Sequence, residues 1–485
     1  MVRVRFAPSP TGLLHQGNIR TALYNYLFAK QNGGVALLRI DDTDQERSQE
    51  DFTQAIQKDL QTLGLQYDEG YGIGGSFGPY KQSERVDLYR KYLRQLIDAG
   101  KIYPCFASNE EIEAERRRAL ATGKTFVYRS RDRDLTPTQR EEKLAQGLKP
   151  HYRFAVDRDI IKFHDLVYGD KVFDTASIGD FTVARSDDSP LYLFASAIDD
   201  ALMQITHVIR GEDGMSNTPR QILIQRALDW GSPQFAHLPL ILGPDHTLLS
   251  KRNGSASVGE LTAKGYLPHA LLNYLALLGW SPPVGKEMMN LQELIQNFQL
   301  GKVARSSAIF DWDKLNFINN QYLRQLSDEE YLSLARPIVS RENPPVGGAG
   351  PDVVDQAILA LRPNVKTLEE LPRWLEMMLG EPAPVSDEAR EFMQIKESPK
   401  VWESVMALLG DLSDEFNEEN AKHFLDGVQK KSKVKGRKLF MPIRVALTGS
   451  TEGPELTQIF SCLGKTRIGE RIQRAIANLQ HQDAS

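Results

Sequence analysis

Phe6-Ala7-Pro8-Ser9-Pro10-Thr11-Gly12-Leu13-Leu14-His15-Gln16-Gly17-Asn18 separates two regular stretches of the chain. Before it, Val2-Arg3-Val4-Arg5-Phe6 alternates with the period of a strand. After it, Ile19, Ala22, Leu23, Tyr26 and Leu27 recur at helical spacing in a proline-free run to Lys30. A strand, a tight turn and a helix make the opening of a nucleotide-binding α/β unit. Two prolines and Gly12 stiffen the turn, and Gly17 permits close approach of a ligand to the backbone. Asn18 is the expected N-cap, behind which free backbone N–H groups would face a phosphate, with His15 within reach of it. Taken alone, His15 reads as a surface histidine on an ordinary turn; the whole string does not.

Further along, Val35-Ala36-Leu37-Leu38-Arg39-Ile40 is a continuous apolar run that suits a buried parallel strand. It delivers Asp41, Asp42 and Asp44 to the strand end, where open α/β sheets bind ligands. A calcium loop starting at Asp42 fails, because Arg47 holds its glycine position and Thr53 its closing glutamate position. A helix is expected over Gln49 to Leu63, and another over Ser83 to Ala99. Gly72 to Gly78 reads as a loop rather than a phosphate cradle, since no strand leads into it at the right spacing. Lys101 to about Arg185 changes character and reads as an insertion. Leu191 to Ala195 and Gln204 to Ile209 read as strands returning to the sheet, which places Arg210 at a strand end. Leu248-Leu249-Ser250-Lys251-Arg252-Asn253-Gly254 is a basic loop closed by glycine. Helical patterns dominate from Ser327 on, including Leu359 to Leu371 and Val401 to Leu409. Lys430, Lys431, Lys433, Lys435, Arg437 and Lys438 form the densest basic patch, either an RNA contact or a solvated loop.

The chain has 485 residues, enough for several domains and a large core. Its 41% hydrophobic and 25% charged content is ordinary for a globular protein. A formal charge of −5 excludes a uniformly basic coat, so any nucleic-acid contact needs local basic faces. Cys105 and Cys462 alone cannot form a disulfide framework. No run approaches the ~20 apolar residues of a membrane span, and the first residues read as a strand rather than a signal peptide. A cytoplasmic protein without membrane contact is expected, with a monomer the expected state.

The opening stretch resembles the first signature of class I aminoacyl-tRNA synthetases, in the form of the glutamyl and glutaminyl branch. Leu38 to Asp44 with Arg47, then Gly78 to Arg85, then Asp199-Asp200 together with Val208 to Asp213 are similar to three later landmarks of that branch, in the same order. Leu249-Ser250-Lys251-Arg252 stands where the second class signature belongs. Pro442 to Gly449, followed by Gly453-Pro454, resembles the anticodon region of bacterial-type glutamyl-tRNA synthetases. The resemblance spans nearly the whole chain, and six motifs in sequence carry far more weight than one. It implies an α/β fold class: a Rossmann-type parallel-sheet catalytic domain with an inserted α+β acceptor-stem domain, followed by an all-α anticodon-binding region. The boundaries it suggests are 1–103 and 187–254 for the two halves of the catalytic domain and 104–186 for the insertion. Residues 255–323 would form the stem-contact domain, with helical anticodon-binding domains at 324–380 and 381–485.

The implied reaction joins glutamate to tRNA(Glu) through a glutamyl-adenylate. ATP with Mg²⁺ would be bound by Pro8, Ser9, Pro10, Thr11, Gly12, His15, Gly17, Asn18 and Asp213, and by Ser250, Lys251 and Arg252. His15 and Lys251 would be the catalytic pair, Lys251 neutralising the pyrophosphate. Arg5, Ser9, Asp41, Tyr192 and Arg210 fall at the positions that bind the amino acid; two strand-end arginines suit the side-chain carboxylate of glutamate better than the amide of glutamine. Asn364, Arg444, Pro454 and Leu456 would meet the anticodon. Some members of this family hold zinc in the insertion. Here Cys105 is followed by Ala107 at the next ligand position, with no Cys or His beside Tyr128-Arg129, so no zinc or other protein-held metal is expected. His151, His164, His207 and His237 are expected to be structural.

Several residues depart from the family pattern. Gln16 replaces an apolar residue, Asp41 a glutamate, and Leu248 the first lysine of the second signature. Asn364 stands where strict members carry an arginine that reads the third anticodon base, C in tRNA(Glu) and G in tRNA(Gln). Asparagine offers both a donor and an acceptor, so the expectation is that tRNA(Gln) is charged as well, or preferentially. Three other readings compete. A glutaminyl-tRNA synthetase would have β-barrels where this chain reads helical, and a tRNA-modifying glutamyl transferase would lack an anticodon domain. A tRNA-binding paralogue without efficient glutamate activation would have little reason to keep His15, Lys251, Arg5 and Arg210.

Overall fold

The structure is a computed structural model that describes residues 1–123, 126–249, 254–283, 285–344, 346–381, 385, 387–410 and 417–482. The chain divides into one unit of residues 1–260 and 271–311 and a second of residues 261–270 and 312–485.

The first unit begins β1 (Arg3–Phe6), α1 (Gln16–Gln31), β2 (Val35–Leu38), α2 (Glu50–Thr62), β3 (Glu69–Gly70), α3 (Val86–Asp98) and β4 (Ile102–Cys105). Then come α4 (Asn109–Ala121), α5 (Pro137–Ala145), β5 (His151–Phe154), β6 (Ile160–Asp165), β7 (Gly169–Asp174) and β8 (Phe181–Ala184). α6 (Tyr192–Leu202), β9 (His207–Gly211), α7 (Thr218–Ala227), β10 (Gln234–Leu238) and β11 (Ile241–Leu242) follow, with β12 (Ala308–Ile309) later in the chain.

The main sheet has seven strands in the order β3-β2-β1-β9-β10-β6-β7, parallel except for the β6–β7 hairpin at one edge. The chain winds outward from β1 through β2 to β3, then returns to the other side of β1 with β9 and β10. The β1–β9 seam is thus the topological switch point, where the connections part and leave a crevice beyond the strand ends. β4, β5 and β8 form a separate antiparallel sheet, and β11 pairs in parallel with β12.

The alternation of β1 does not mark a solvated face: all four of its residues are buried. Val4 and Phe6 pack as apolar residues, while Arg3 and Arg5 meet buried carboxylates, Arg3 Nη2 lying 2.9 Å from Glu69 Oε2. Two expectations about local structure are corrected here. Tyr192 to Ala195 opens α6 rather than a strand. An apolar run this short has no period to separate helix from strand. The expected helix over Leu359 to Leu371 is two helices, Pro351–Leu361 and Leu371–Leu379, with a turn between them. Pro363 at that turn supplies no amide donor to continue the first.

The second unit is helical, from Trp312–Gln325 to Leu456–Gln482. Its core gathers Tyr331, Leu361, Leu375, Trp402, Ile443 and Phe460, each at 0% exposure. Trp402 is the largest fully buried side chain among the described residues, and its Nε1 donates to the Pro442 carbonyl at 3.1 Å. No helix among the described residues is long and apolar enough to cross a membrane.

Replacing Trp402 by Phe removes that donor and leaves part of its volume empty. The expected loss is about 1–3 kcal/mol of unfolding free energy, measurable by urea denaturation followed by circular dichroism.

Candidate active site

A cleft of about 730 Å³ opens at the β1–β9 switch point. It gathers residues that lie some 200 positions apart in sequence: Arg5 at the end of β1, Arg210 near the end of β9, Tyr192 at the start of α6, and the turn into α1. Of the residues predicted to bind ligands, Arg5, Pro8, Ser9, Thr11, Gly12, His15, Gly17, Asn18, Tyr192, Arg210 and Asp213 line it. Pro10 does not; it is buried, with its carbonyl accepting the Gln49 amide at 3.1 Å. Ser250, Lys251 and Arg252 lie outside the described residues.

The N-cap of α1 is His15, not Asn18. His15 Nδ1 accepts the Gly17 amide at 3.1 Å, and Asn18 Oδ1 accepts the His15 amide at 3.3 Å. The Gly17 N–H is therefore satisfied by the protein rather than free for a phosphate. A ring nitrogen that accepts carries no proton, so the hydrogen of neutral His15 sits on Nε2, which becomes the donor available to a ligand. Partial desolvation by the surrounding cleft lowers the His15 pKa and favours this neutral form.

Gln16 is 1% exposed. Its Oε1 accepts from Ser255 Oγ and the Ala256 amide, both at 3.2 Å, and its Nε2 donates to the Gly254 carbonyl at 3.4 Å. His15 also forms a bridge with Ser257. The first signature is thus joined to the segment immediately after the second. The departure from an apolar residue at position 16 provides the side chain that does this.

Arg5 is held in the cleft by a buried charge network. Asp200 Oδ1 accepts from Arg5 Nε at 3.1 Å and from Arg39 Nη1 at 2.8 Å. Asp199 accepts from Arg85 Nε at 2.8 Å, Gln82 Nε2 at 3.0 Å and the Tyr89 hydroxyl at 2.7 Å. Burial alone would raise the Asp200 pKa, but Arg5 and Arg39 outweigh it and hold the carboxyl below its usual range.

Asp41 belongs to this network and not to the cleft. Its Oδ1 and Oδ2 accept from Arg39 Nε at 2.7 Å and Nη2 at 3.2 Å, and its side chain is fully buried. Of the five residues expected at the amino-acid positions, Asp41 is the one that does not line the cleft. An aspartate two residues from Arg39 lies within reach of a bidentate pair with it.

Arg210 is 8% exposed. Its Nη2 donates to Thr218 Oγ1 at 2.7 Å and its Nε to His237 Nε2 at 3.2 Å, while Nη1 is buried without a hydrogen-bond partner. Burial lowers the Arg210 pKa, and the neighbouring Tyr192 phenol partly offsets this. A Cβ at Gly214 would stand 2.6 Å from Arg210 Nε, so glycine is required for the guanidinium to lie there. A buried guanidinium nitrogen without an acceptor is costly unless a ligand supplies one. His237, expected to be structural, and Thr218 are not among the cleft-lining residues but hold Arg210 from outside that lining. The one available signal was a histidine inside the apolar run Phe235-Ala236-His237-Leu238, which the sequence reading did not recognise as a strand.

In the second unit, the turn at Gly453-Pro454 collects the predicted anticodon residues. Asn364 Nδ2 donates to the Gly453 carbonyl at 3.0 Å and Arg444 Nη1 to the Pro454 carbonyl at 2.7 Å; Leu456 opens the next helix. In the first unit, Cys105 Sγ lies in a buried cluster, 3.4 Å from Ser130 Oγ and 3.7 Å from the Tyr128 hydroxyl.

The chain belongs to the class I tRNA synthetases, in the E and Q group of that family. The model of its catalytic domain matches residues 1–317, and that of an anticodon-binding domain matches residues 323–476. The chain is 45% identical over 478 residues to the glutamate–tRNA ligase of Carboxydothermus hydrogenoformans, covering 97% of this chain and 99% of that one. It is 42% identical to the glutamate–tRNA ligase of Natranaerobius thermophilus, covering 99% of each. A crystal structure of a glutamate tRNA ligase from Elizabethkingia meningosepticum, in complex with its amino acid, superposes with a TM-score of 0.86 at 31% identity and covers 98% of this chain.

Burial pushes the Asp41 carboxyl up to about 6, against the pull of Arg39. A carboxyl whose pKa is raised by folding binds its proton more tightly in the native state, so its contribution to stability falls as pH rises through that range. The difference in unfolding free energy between wild type and Asp41→Asn should therefore shift in favour of the variant between pH 4.5 and 7. A pH-independent difference in denaturation series would show that Asp41 ionises as it does in the unfolded chain.

Proposed function

We propose that this chain is a glutamate–tRNA ligase whose cleft activates glutamate with ATP and passes the acyl group to tRNA. In the first step an oxygen of the glutamate α-carboxylate attacks the ATP α-phosphorus. The bond from that phosphorus to the bridging oxygen breaks, and pyrophosphate leaves. In the second, a ribose hydroxyl of the terminal adenosine attacks the acyl carbon, its proton is lost and AMP departs.

The observation that carries the reading is the buried, unpartnered Nη1 of Arg210, in the same cleft as Arg5. Both arginines would receive the side-chain carboxylate of glutamate, with Tyr192 beside Arg210. Charge develops on phosphate oxygens, so donors already in place supply most of the catalysis. His15 Nε2–H is such a donor, positioned by its own capping bond. Lys251 would act on the departing pyrophosphate. Mg²⁺, when bound, neutralises the phosphates. It usually keeps several waters and takes only one or two carboxylates from the protein, and Asp213 in the cleft fits that demand.

The steady-state test is aminoacylation of tRNA transcripts with glutamate and ATP varied separately. Arg210→Gln removes a charged donor worth about 1.5–3 kcal/mol and should raise the KM for glutamate by about 10- to 100-fold. The KM for ATP should stay nearly unchanged.

Asn364 supports charging of tRNA(Gln) as well. With one amide hydrogen on the Gly453 carbonyl, its free oxygen is an acceptor, and an acceptor suits the N–H edge of guanine better than that of cytosine. Transcripts of both tRNAs should accept glutamate, and Asn364→Arg should shift the ratio of kcat/KM towards tRNA(Glu). Strict restriction of the wild type to tRNA(Glu) would exclude this specificity.

A further inference from the structure

Arg210 is supported from behind by residues that come from different parts of the chain. His237, on β10, accepts from Arg210 Nε through its Nε2 at 3.2 Å. The other ring nitrogen, Nδ1, lies 2.6 Å from Oδ2 of Asp165, at the end of β6, and neither side chain is exposed. Asp165 is itself fixed at several points. Its Oδ1 accepts the amides of Val167 and Tyr168 at 3.0 and 2.8 Å, and its Oδ2 accepts the His237 amide at 3.2 Å. Burial would raise the Asp165 pKa, but the bonds from His237 and these amides more than compensate, so the carboxylate stays ionised.

The chemistry of the donors then determines the tautomer. An ionised carboxylate can only accept, so Nδ1 of His237 carries the proton. Nε2 is left with a lone pair, and that lone pair receives Arg210 Nε–H. Burial, with a further push from Arg210, lowers the His237 pKa and keeps the ring neutral. Thr218 Oγ1 accepts Arg210 Nη2–H at 2.7 Å and lies 3.1 Å from His237 Nε2. Two of the three guanidinium nitrogens are thereby fixed; Nη1 meets no acceptor at hydrogen-bond geometry, and the Tyr192 phenol stands beside the group.

We propose that Asp165 and His237 are positioning residues for glutamate recognition: the Asp165–His237 pair sets the orientation of Arg210 so that Nη1 meets the substrate carboxylate. This rests on the reading of Arg210 as a carboxylate partner. Orienting a ligating group through a carboxylate–imidazole pair is a familiar device at metal sites; here the group oriented is a guanidinium.

The test uses three conservative variants of the full chain. In Asp165→Asn the amide oxygen can keep the Val167 and Tyr168 bonds, while its NH₂ faces His237 Nδ1. That forces the proton to Nε2, donor against donor with Arg210. His237→Asn can keep the donor to Asp165 but removes the acceptor from Arg210. His237→Gln extends an amide oxygen to where Nε2 stands and restores that acceptor.

In aminoacylation, Asp165→Asn and His237→Asn should raise the KM for glutamate 10-fold or more, with the KM for ATP within twofold of wild type. His237→Gln should recover most of the loss. Equal losses in the two His237 variants, a parallel rise in the KM for ATP, or an unchanged KM for glutamate would overturn the proposal. Loss of the folded state in both His237 variants, seen by thermal melting, would show a purely structural role and overturn it as well. If the wild type itself failed to charge glutamate, the reading of Arg210 would fall instead.

Discussion

Asp200 accepts from two guanidiniums at once, and the geometry of the cleft depends on that sharing. Arg5, on β1, must remain charged at the bottom of a crevice from which little water reaches it. A buried ion costs several kcal/mol in lost hydration. Each close pair returns roughly 5 kcal/mol at an effective dielectric constant of about 20. Those magnitudes nearly cancel, so the network of Arg5, Arg39 and Arg85 with Asp41, Asp199 and Asp200 adds little net stability. What it provides is position. β1, the segment after β2, and α6 are held in one arrangement, because displacing any of them would strand a charge. Removing one partner of such a network is far more damaging than never having had it.

The same reasoning explains which parts of the site were legible in the sequence. The turn from Pro8 to Asn18 was readable because prolines, glycine and the change from strand to helix period all mark one place. Arg5 and Arg210 were readable because strand ends are where parallel sheets present their ligands. What the sequence hid at Asp41 is its partner: a carboxylate at a strand end resembles a ligand group, and nothing in its spacing tells that Arg39 meets both of its oxygens. The N-cap of α1 was assigned three residues late, because histidine is not among the usual capping residues. Tyr192 was assigned to a strand because the apolar run from Leu191 to Ala195 is too short to show a helical period.

Asp165 and His237 were illegible for a different reason. They are 72 positions apart, on strands that become neighbours only through the return of the β6–β7 hairpin to the main sheet. No local pattern encodes such a pairing. Gln16, a residue that departs from the family pattern, likewise makes a contact no local pattern encodes, joining the start of α1 to residues 254–256. In the second unit, Asn364 and Arg444 converge on a single turn although 80 positions separate them.

The seam between β1 and β9 also bears on how the protein is made. Val4 pairs with His207 across that seam, so the first strand lacks its second neighbour until more than 200 residues have been synthesised. At about 5–20 residues per second on the ribosome, that wait lasts on the order of ten seconds or more. Throughout it, Arg5 has no Asp200 to meet. A nascent edge strand is prone to pairing with other chains, and charge on such an edge is a known deterrent. The two arginines that alternate along β1 can therefore serve the unfinished chain as gatekeepers against aggregation, before one of them is enclosed at the pocket.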